Sequence, residues 1–179
     1  IKIKFSNFMI VYNDPRRFGF FKIFTSKKKL NTYFSKYGPE ATSEGFNYNY
    51  IKKKFLNKKK NIKNCLLDQN FVSGIGNIYA NEILFYCKIN PFKIVNKISN
   101  SEIDKLVKYS KLVLSLAIKF GGSTIKDFKN IKGKSGLFQK EFKVYNREKK
   151  NCIRKNCTGK IIKISISKRS AFFCKYCQK

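Results

Sequence analysis

Four cysteines near the carboxyl end of the sequence restrict its fold more than any other feature. They form two pairs, CIRKNC (152–157) and CKYC (174–177), separated by residues 158–173. Two short pairs of this kind can place four thiolates around one tetrahedral metal ion. The chain contains no histidine, so any zinc site must use sulfur ligands alone. The sequence therefore predicts one structural Zn²⁺ held by Cys152, Cys157, Cys174 and Cys177.

The segment between the two cysteine pairs, IIKISISKRSAFF (161–173), alternates apolar and polar residues. This pattern indicates two short strands joined by a turn near Lys168-Arg169-Ser170, so the metal would fix the base of a hairpin with Arg169 at its tip. A disulfide pair or four unrelated buried cysteines are the alternatives. A lysine-rich chain with no evident signal peptide indicates a reducing cytoplasm, which disfavours disulfides. The remaining cysteines, Cys65 and Cys87, are predicted to be core residues.

The charge of the chain indicates the kind of partner it has. Its 179 residues suffice for one medium domain or two small ones, and 40 lysines and arginines against 10 acids give a formal charge of +30. Such a field is typical of a protein with a polyanionic partner: nucleic acid first, an anionic membrane surface second. No apolar run approaches the about 20 residues of a membrane span. Part of the lysine content is also expected from an AT-rich genome.

The rest of the sequence predicts a mostly α fold with β pieces. Residues 1–24 alternate like strands, with a hairpin turn at Ser6-Asn7, and a short strand is expected at 142–145. The predicted helices cover residues 27–36, 48–57, 64–70, 77–87 and 101–119. In the last helix Ser101 is the expected cap, and its apolar face is predicted to comprise Ile103, Leu106, Val107, Leu114 and Ile118. A glycine- and lysine-rich loop follows at 121–138.

Two stretches carry residues suited to DNA contact. Arg16 and Phe18 lie on a predicted loop, where a guanidinium can bind a base edge while a ring wedges between bases. The local sequence alone favours the alternative, in which the phenylalanine packs into the core. Lysines 58–60 immediately precede the motif at 62–91, and Lys63 lies at its start. These lysines form either a phosphate contact or a solvated face.

The motif at 62–91 predicts a helix, a tight turn through Gly74 and Gly76, and a second helix that begins near Asn77. Backbone N–H groups and the helix dipole at such a position favour phosphate. Nucleotide-binding loops also place glycines before a helix. Here the preceding segment is helical and no acidic ribose ligand follows, which excludes a Rossmann fold.

Five motifs occur in a fixed order along the chain. They are NDPRRFG (13–19), LLDQNFVSGIGNIYANEILF (66–85), GGSTIKDF (121–128), VYNRE (144–148) and CIRKNCTGKI…SKRSAFFCKYCQ (152–178). Together they resemble the formamidopyrimidine-DNA glycosylase family, bacterial enzymes that remove oxidised purines such as 8-oxoguanine. Endonuclease VIII shares the architecture, but DPRRFG and GNIY favour the formamidopyrimidine branch.

The resemblance implies three domains and a DNA-repair function. Residues 1–25 would end a catalytic β-sandwich, residues 26–140 would form a helix-two-turn-helix DNA-binding domain, and residues 141–179 a zinc-finger hairpin. The implied activity is that of a bifunctional glycosylase and abasic-site lyase. Its partner would be double-stranded DNA with an oxidised purine or abasic site. The protein is expected to be a monomer in the bacterial cytoplasm, associated with the nucleoid.

The resemblance also implies a role for individual residues. Arg16 resembles the arginine that pairs with the cytosine left alone after base flipping, and Phe18 the wedge beside it. Lys59, Lys63 and Asn77 resemble phosphate-binding residues. Arg169 resembles the hairpin arginine that grips phosphate and assists the second strand-cleaving elimination, a catalytic role.

One departure from the family pattern concerns the nucleophile. The family begins with a catalytic proline, whose amine attacks the sugar, followed by a glutamate, whereas this sequence begins Ile-Lys and Met9 does not match the family's intercalating methionine. We therefore expect a fragment without the catalytic N-terminal segment, which would be active only if that segment exists in the native protein or is supplied by a partner chain. The alternatives are an inactive damaged-DNA-binding module and a zinc-stabilised RNA-binding protein. The helical motif argues against the last of these.

Overall fold

The computed structural model describes residues 1–14, 17–123 and 136–179. The chain divides into two compact units, Ile1–Ser35 and Lys36–Lys179. Domain boundaries after residues 25 and 140 stay predictions. Most of the glycine-rich loop predicted at 121–138 lies outside the described residues.

The first unit contains one hairpin and one helix. Strand β1 (Lys2–Lys4) pairs antiparallel with β2 (Met9–Val11), as predicted, through a turn closed by the bond from Phe5 N to Phe8 O at 2.9 Å. The described residues between β2 and Ser26 form no strand, which corrects the expectation for 1–24. Here the Asp14 carboxylate accepts hydrogen bonds from Gly19 N and the Tyr12 hydroxyl, so the backbone turns instead of extending.

Helix α1 (Lys27–Phe34) completes the first unit. The Ser26 side chain accepts a hydrogen bond from Lys29 N, as an N-cap residue does. The predicted start is confirmed, and the helix ends two residues before the predicted end.

The second unit is built on four helices: α2 (Tyr48–Phe55), α3 (Ile62–Leu66), α4 (Asn77–Cys87) and α5 (Asn100–Lys119). Helix α4 has its predicted bounds. Helix α2 ends two residues early, before Asn57 adopts a left-handed φ of 58°. The prediction of 64–70 for α3 was wrong because Asn61 caps the helix through Asn64 N and the chain turns at Asp68.

Helix α5 begins at a capping box formed by Ser99 and Glu102, so the prediction of Ser101 as the cap was wrong. The spacing S-x-x-E lets each side chain bond the backbone N–H of the other residue. Ile103, Leu106 and Leu114 are buried as predicted. Ile118 is 73% exposed, because Ala117 faces the core in the last turn.

The helical core holds the apolar faces of α2, α3, α4 and α5, with Phe46, Ile51, Leu66, Ile83 and Leu106 almost completely buried. Cys65 and Cys87 belong to it, which confirms the prediction for both. Among the described residues, no helix is both long and apolar enough to cross a lipid bilayer.

The chain ends in the predicted hairpin, β3 (Ile161–Ile166) and β4 (Arg169–Cys174), with Ile166 opposite Arg169 beside the turn. The turn residues are Ser167 and Lys168, with φ of 49° and 61°. These left-handed angles are those of a two-residue type I′ turn, one residue earlier than predicted.

The strand predicted at 142–145 is not formed. The backbone N–H groups of Lys143, Val144 and Tyr145 donate to the carboxylate of Glu82 on α4 and not to a neighbouring strand.

Candidate nucleic-acid interface and metal centre

The four predicted cysteines converge on one point. Their Sγ atoms all lie within 4.8 Å of one another, with Cys152 and Cys177 3.9 Å apart and Cys157 and Cys174 3.7 Å apart. These distances are far too long for disulfides, whose sulfur atoms lie about 2.05 Å apart. Tetrahedral bonds of about 2.3 Å to zinc place sulfur atoms about 3.8 Å apart. The four thiols therefore have the spacing of a tetrahedral metal site.

The surroundings of the cysteines also fit a bound cation. A Cβ on Gly159 would lie 2.7 Å from Cys174 Sγ and 2.6 Å from Tyr176 Cβ, so only glycine allows the chain to pass this close to the cluster. Burial, and then the neighbouring Cys174, raise the pKa of Cys177. Four thiolates so close together are stable only beside a positive charge.

The segment 152–178, which carries the four cysteines and the hairpin and is called the metal module below, contacts the carboxyl end of α4 and the residues just after it at two points. The guanidinium of Arg154, from the first cysteine pair, lies 4.4 Å above the ring of Phe85 and donates to the carbonyls of Phe85 and Tyr86. A cation at this end of a helix satisfies free carbonyls and the dipole. Buried Gln178 accepts from Cys174 N at 3.0 Å and donates to Ile89 O at 2.9 Å.

No sequence motif pointed to Glu82, which joins α4 to the segment that precedes the four-cysteine hairpin. Its carboxylate accepts three backbone N–H bonds, from Lys143, Val144 and Tyr145, at 2.8 to 3.0 Å. Burial raises the pKa of Glu82, and the three donors oppose that shift. One sequence feature could have pointed to Glu82: it is the only acid in helix α4, where it begins the otherwise apolar stretch EILFYC.

The turn end of the hairpin lies against helices α3 and α4. Three of the predicted DNA-binding residues, Lys63, Asn77 and Arg169, come together there. Lys63 Nζ donates to Arg169 O at 3.4 Å, and Asn77 Nδ2 donates to Ser170 O at 3.2 Å. Lys63 is fully buried, whereas Arg169 is exposed. Burial, and then the charge of Arg169, lower the pKa of Lys63 to about 8.

Neither cation has a compensating acid: within the described part of the chain, no ion pair involves Lys63 or Arg169. The nearby Asn77 Oδ1 is buried without a hydrogen-bond partner. Asn77 is also the first residue of α4, and Gly76, its cap, has no atom within 4 Å of where a Cβ would stand. Two cations, a helix N-terminus and open backbone therefore meet on one side of this junction.

The other predicted DNA-binding residues lie outside this cluster. Lys59 is exposed on the loop between α2 and α3. Phe18, in the first unit, is 77% exposed, so the alternative that packs it into the core was wrong. Arg16 lies outside the described residues.

A pair of helices joined by a glycine turn, docked on a four-cysteine hairpin with cations at the junction, defines a helix-two-turn-helix protein with a zinc-finger-like module. The family model of the formamidopyrimidine-DNA glycosylase H2TH domain matches residues 37–129, which is just over half of the chain. The chain belongs to the formamidopyrimidine-DNA glycosylase family, as the resemblance predicted.

Known relatives agree along nearly the whole chain. The formamidopyrimidine-DNA glycosylases of Roseobacter denitrificans and Rickettsia bellii are each 41% identical over 97% of this chain, which spans 62% and 63% of their lengths. A Lactococcus lactis Fpg complex with abasic-site DNA has a TM-score of 0.89 at 36% identity, covering 99% of this chain and 65% of that one. The MutM (Fpg) protein of Thermus thermophilus has a TM-score of 0.87 at 30% identity, with 99% and 67% covered.

Proposed function

We propose that these residues form the DNA-gripping part of a DNA glycosylase that removes oxidised purines and cleaves the strand at the abasic site. Family membership supports this, as do the structural relatives bound to DNA with an abasic site or a Fapy-dG lesion. One observation carries the proposal: buried Lys63 and exposed Arg169 meet at the junction of helix and hairpin, and no acid among the described residues pairs with either.

Burial, and then the charge of Arg169, lower the pKa of Lys63, and its charged form lacks a counter-ion among the described residues. A DNA phosphate bound at the junction supplies that counter-ion, and charge-assisted hydrogen bonds add to the gain. The junction is therefore a phosphate site whose positive charge no acid in the described part of the chain compensates.

Asn77 can join this site without releasing its partner. Its Nδ2 carries two N–H groups, of which one donates to Ser170 O at 3.2 Å, so the second can donate to a phosphate oxygen. Ser170 O also accepts from Asn81 Nδ2 at 3.4 Å.

The remaining residues extend the grip along the duplex. Exposed Lys59 contacts a further phosphate. In the first unit, exposed Phe18 is the wedge that enters the base stack. Arg16 pairs with the cytosine that is left unpaired after base flipping. The four cysteines hold one structural Zn²⁺, whose binding free energy stabilises the hairpin. Arg169 is the catalytic residue: its permanently charged guanidinium binds the phosphate expelled during strand cleavage.

The second candidate function is a binding module without catalysis. Lyase chemistry needs an amine that adds to C1′ of the opened sugar and expels water to form an imine. The described lysine with the most lowered pKa, Lys63, instead donates to Arg169 O inside the protein. That structural use of the amine favours a module that binds abasic DNA and leaves the strand intact.

Two measurements test these proposals. Binding is compared on two duplexes that differ only in one abasic site, and tighter binding to the abasic duplex is expected. Equal affinity would contradict damaged-DNA recognition. Borohydride is then added to the abasic complex, where it reduces any imine to a stable amine. A covalent adduct supports the glycosylase–lyase. Binding without an adduct, beside an active full-length relative, supports the binding module.

A further inference from the structure

The side chain of Asn81 occupies the open edge of strand β4. Its Oδ1 accepts from Phe172 N at 2.7 Å, and its Nδ2 donates to Ser170 O at 3.4 Å and to Asn77 O of its own helix at 2.6 Å. Asn81 is 1% exposed. Neither the sequence motifs nor the proposed DNA contacts assign it a role.

The hairpin register explains why these two backbone groups are available. Ile166 and Arg169 are the pair next to a two-residue turn, so they form the first hydrogen-bonded pair, and Ser170 and Phe172 point their N–H and C=O away from β3. A primary amide carries a donor and an acceptor side by side, as a strand peptide does. Asn81 therefore replaces a third strand beside the residues that follow Arg169.

The turn before Arg169 needs such support. Ser167 and Lys168 both have left-handed φ values, of 49° and 61°, where glycine or asparagine is the usual choice. On one side of the turn, Asn64 Nδ2 donates a hydrogen bond to Ser167 Oγ at 2.7 Å. On the other side, Asn81 donates to Ser170 O and accepts from Phe172 N. The position of Arg169 is thus fixed by helix side chains on both sides, at a distance along the hairpin from the metal ligands.

We infer that Asn81 is a positioning residue: it aims Arg169 at the DNA phosphate by holding the edge of β4. The inference rests on the proposed function in so far as Arg169 binds DNA. Asn81 itself does not reach the DNA. Its loss should therefore weaken binding only while Arg169 is present.

The test is a double-mutant cycle on a duplex with one abasic-site analogue. Asn81→Leu keeps the number and branching of the side-chain heavy atoms and removes both hydrogen-bonding groups. It should weaken binding about tenfold when Arg169 is present and less than about twofold in the Arg169→Ala background. Asn81→Asp keeps the acceptor for Phe172 N but turns a carboxylate oxygen towards the carbonyls of Ser170 and Asn77, so with Arg169 present it should weaken binding at least as much as Asn81→Leu. Equal losses in both backgrounds would overturn the inference.

The matched control is Asn90→Leu. Asn90 Nδ2 donates to Gln178 O at the opposite end of the metal module. Its effect on binding should be the same with and without Arg169, because it acts on docking of the module and not on the tip. A dependence on Arg169 as large as that of Asn81→Leu would also contradict the inference.

Amide hydrogen exchange separates this inference from the proposed function. Without DNA, the Phe172 amide should lose protection in Asn81→Leu and keep it in Asn90→Leu, while the Cys174 amide keeps its protection in both. If the wild-type chain fails to bind DNA, the proposed function fails. The exchange result still decides whether Asn81 holds the tip. Unchanged protection of Phe172 in Asn81→Leu overturns the inference regardless of DNA binding.

Discussion

The side-chain nitrogen of Lys63 lies 3.4 Å from the backbone carbonyl oxygen of Arg169, so a buried ammonium joins the helical module to the hairpin tip. The two residues are neighbours only because the hairpin folds back onto α3. The contact holds the chain at Arg169, whose charge, after burial, is the second cause of the lowered pKa of Lys63.

The affinity for DNA should depend on pH through Lys63. Burial and the charge of Arg169 lower its pKa from the ordinary 10.5 to about 8, so in the free protein the proton is lost as pH rises through 8. A phosphate favours the charged form. Affinity should therefore be constant below pH 8 and fall above it, by at most about tenfold per pH unit for one proton. Titrations across this range measure the slope.

Lys63→Met provides the control for that slope, because it removes the proton and keeps a long side chain. Its binding should be weaker and independent of pH over the same range. The stability of the free protein should depend on pH in the opposite direction from its affinity for DNA. Between pH 8 and 10.5 the unfolded chain holds a proton that the folded chain has lost, so Lys63 makes stability rise with pH there. A wild-type affinity that is flat through pH 8 would contradict the proposed contact.

Lys59 should act through counter-ions alone. It is exposed, so Lys59→Ala should leave the melting temperature unchanged. It should weaken binding to all duplex sequences and reduce the slope of log K against log salt by about one. Lys119→Ala, an exposed lysine at the end of α5, is the matched surface control. An unchanged slope for Lys59→Ala would make that lysine a bystander.

The sequence predicted the parts of the structure that depend on local pattern. Helix α4 has its predicted bounds, and the spacing of the four cysteines predicted their cluster. Prediction from the sequence failed where residues distant along the chain accept the backbone hydrogen bonds that a local pattern would assign to a strand. The stretch 142–145 alternates like a strand, but its N–H groups bond Glu82, which is about 60 positions away. The roles of Glu82 and Asn81 depend on the docked hairpin, which no local pattern encodes.

Removing the metal should unfold the hairpin. Closed four-cysteine sites supply folding free energy to small modules, and here the same module is tied to α4 through Arg154 and Gln178. A chelator should lower the melting temperature of the wild type and of Cys65→Ala, whose cysteine lies in the helical core. It should not change that of Cys157→Ser, which has already lost a ligand. Metal analysis should give one zinc per chain for the first two proteins, and a melt indifferent to chelation would contradict the structural site.

Glu82 should contribute more to stability than its single charge suggests. Glu82→Gln replaces one carboxylate oxygen with an amide NH₂ that faces backbone donors, so at least one buried N–H loses its acceptor. We expect a loss of about 2 to 4 kcal/mol in the free energy of unfolding. The control is Glu141→Gln, since Glu141 pairs with Lys143 at 3.4 Å on a half-exposed surface and should change stability by less than about 1 kcal/mol. Denaturant unfolding measures both, and equal effects would contradict a special role for Glu82.

Gly74 and Gly76 should respond differently to alanine. Gly74 has a φ of 88°, so Gly74→Ala strains the backbone and should cost about 1 kcal/mol of stability. Gly76 has a φ of −98°, which any residue adopts, and no atom lies within 4 Å of a Cβ placed there. Gly76→Ala should therefore cause neither strain nor a clash, and should cost only the preference of an N-cap for glycine over alanine, about 0.5 kcal/mol.

A second effect of Gly76→Ala is expected on DNA binding. A Cβ at the N-terminus of α4 would stand between the backbone N–H groups and an approaching phosphate. Losing one charge-assisted hydrogen bond should weaken DNA binding at least about tenfold. Melting curves and binding isotherms of the two variants, measured side by side, separate backbone strain from ligand approach. If Gly76→Ala binds DNA as well as the wild type, no phosphate comes close to this end of the helix.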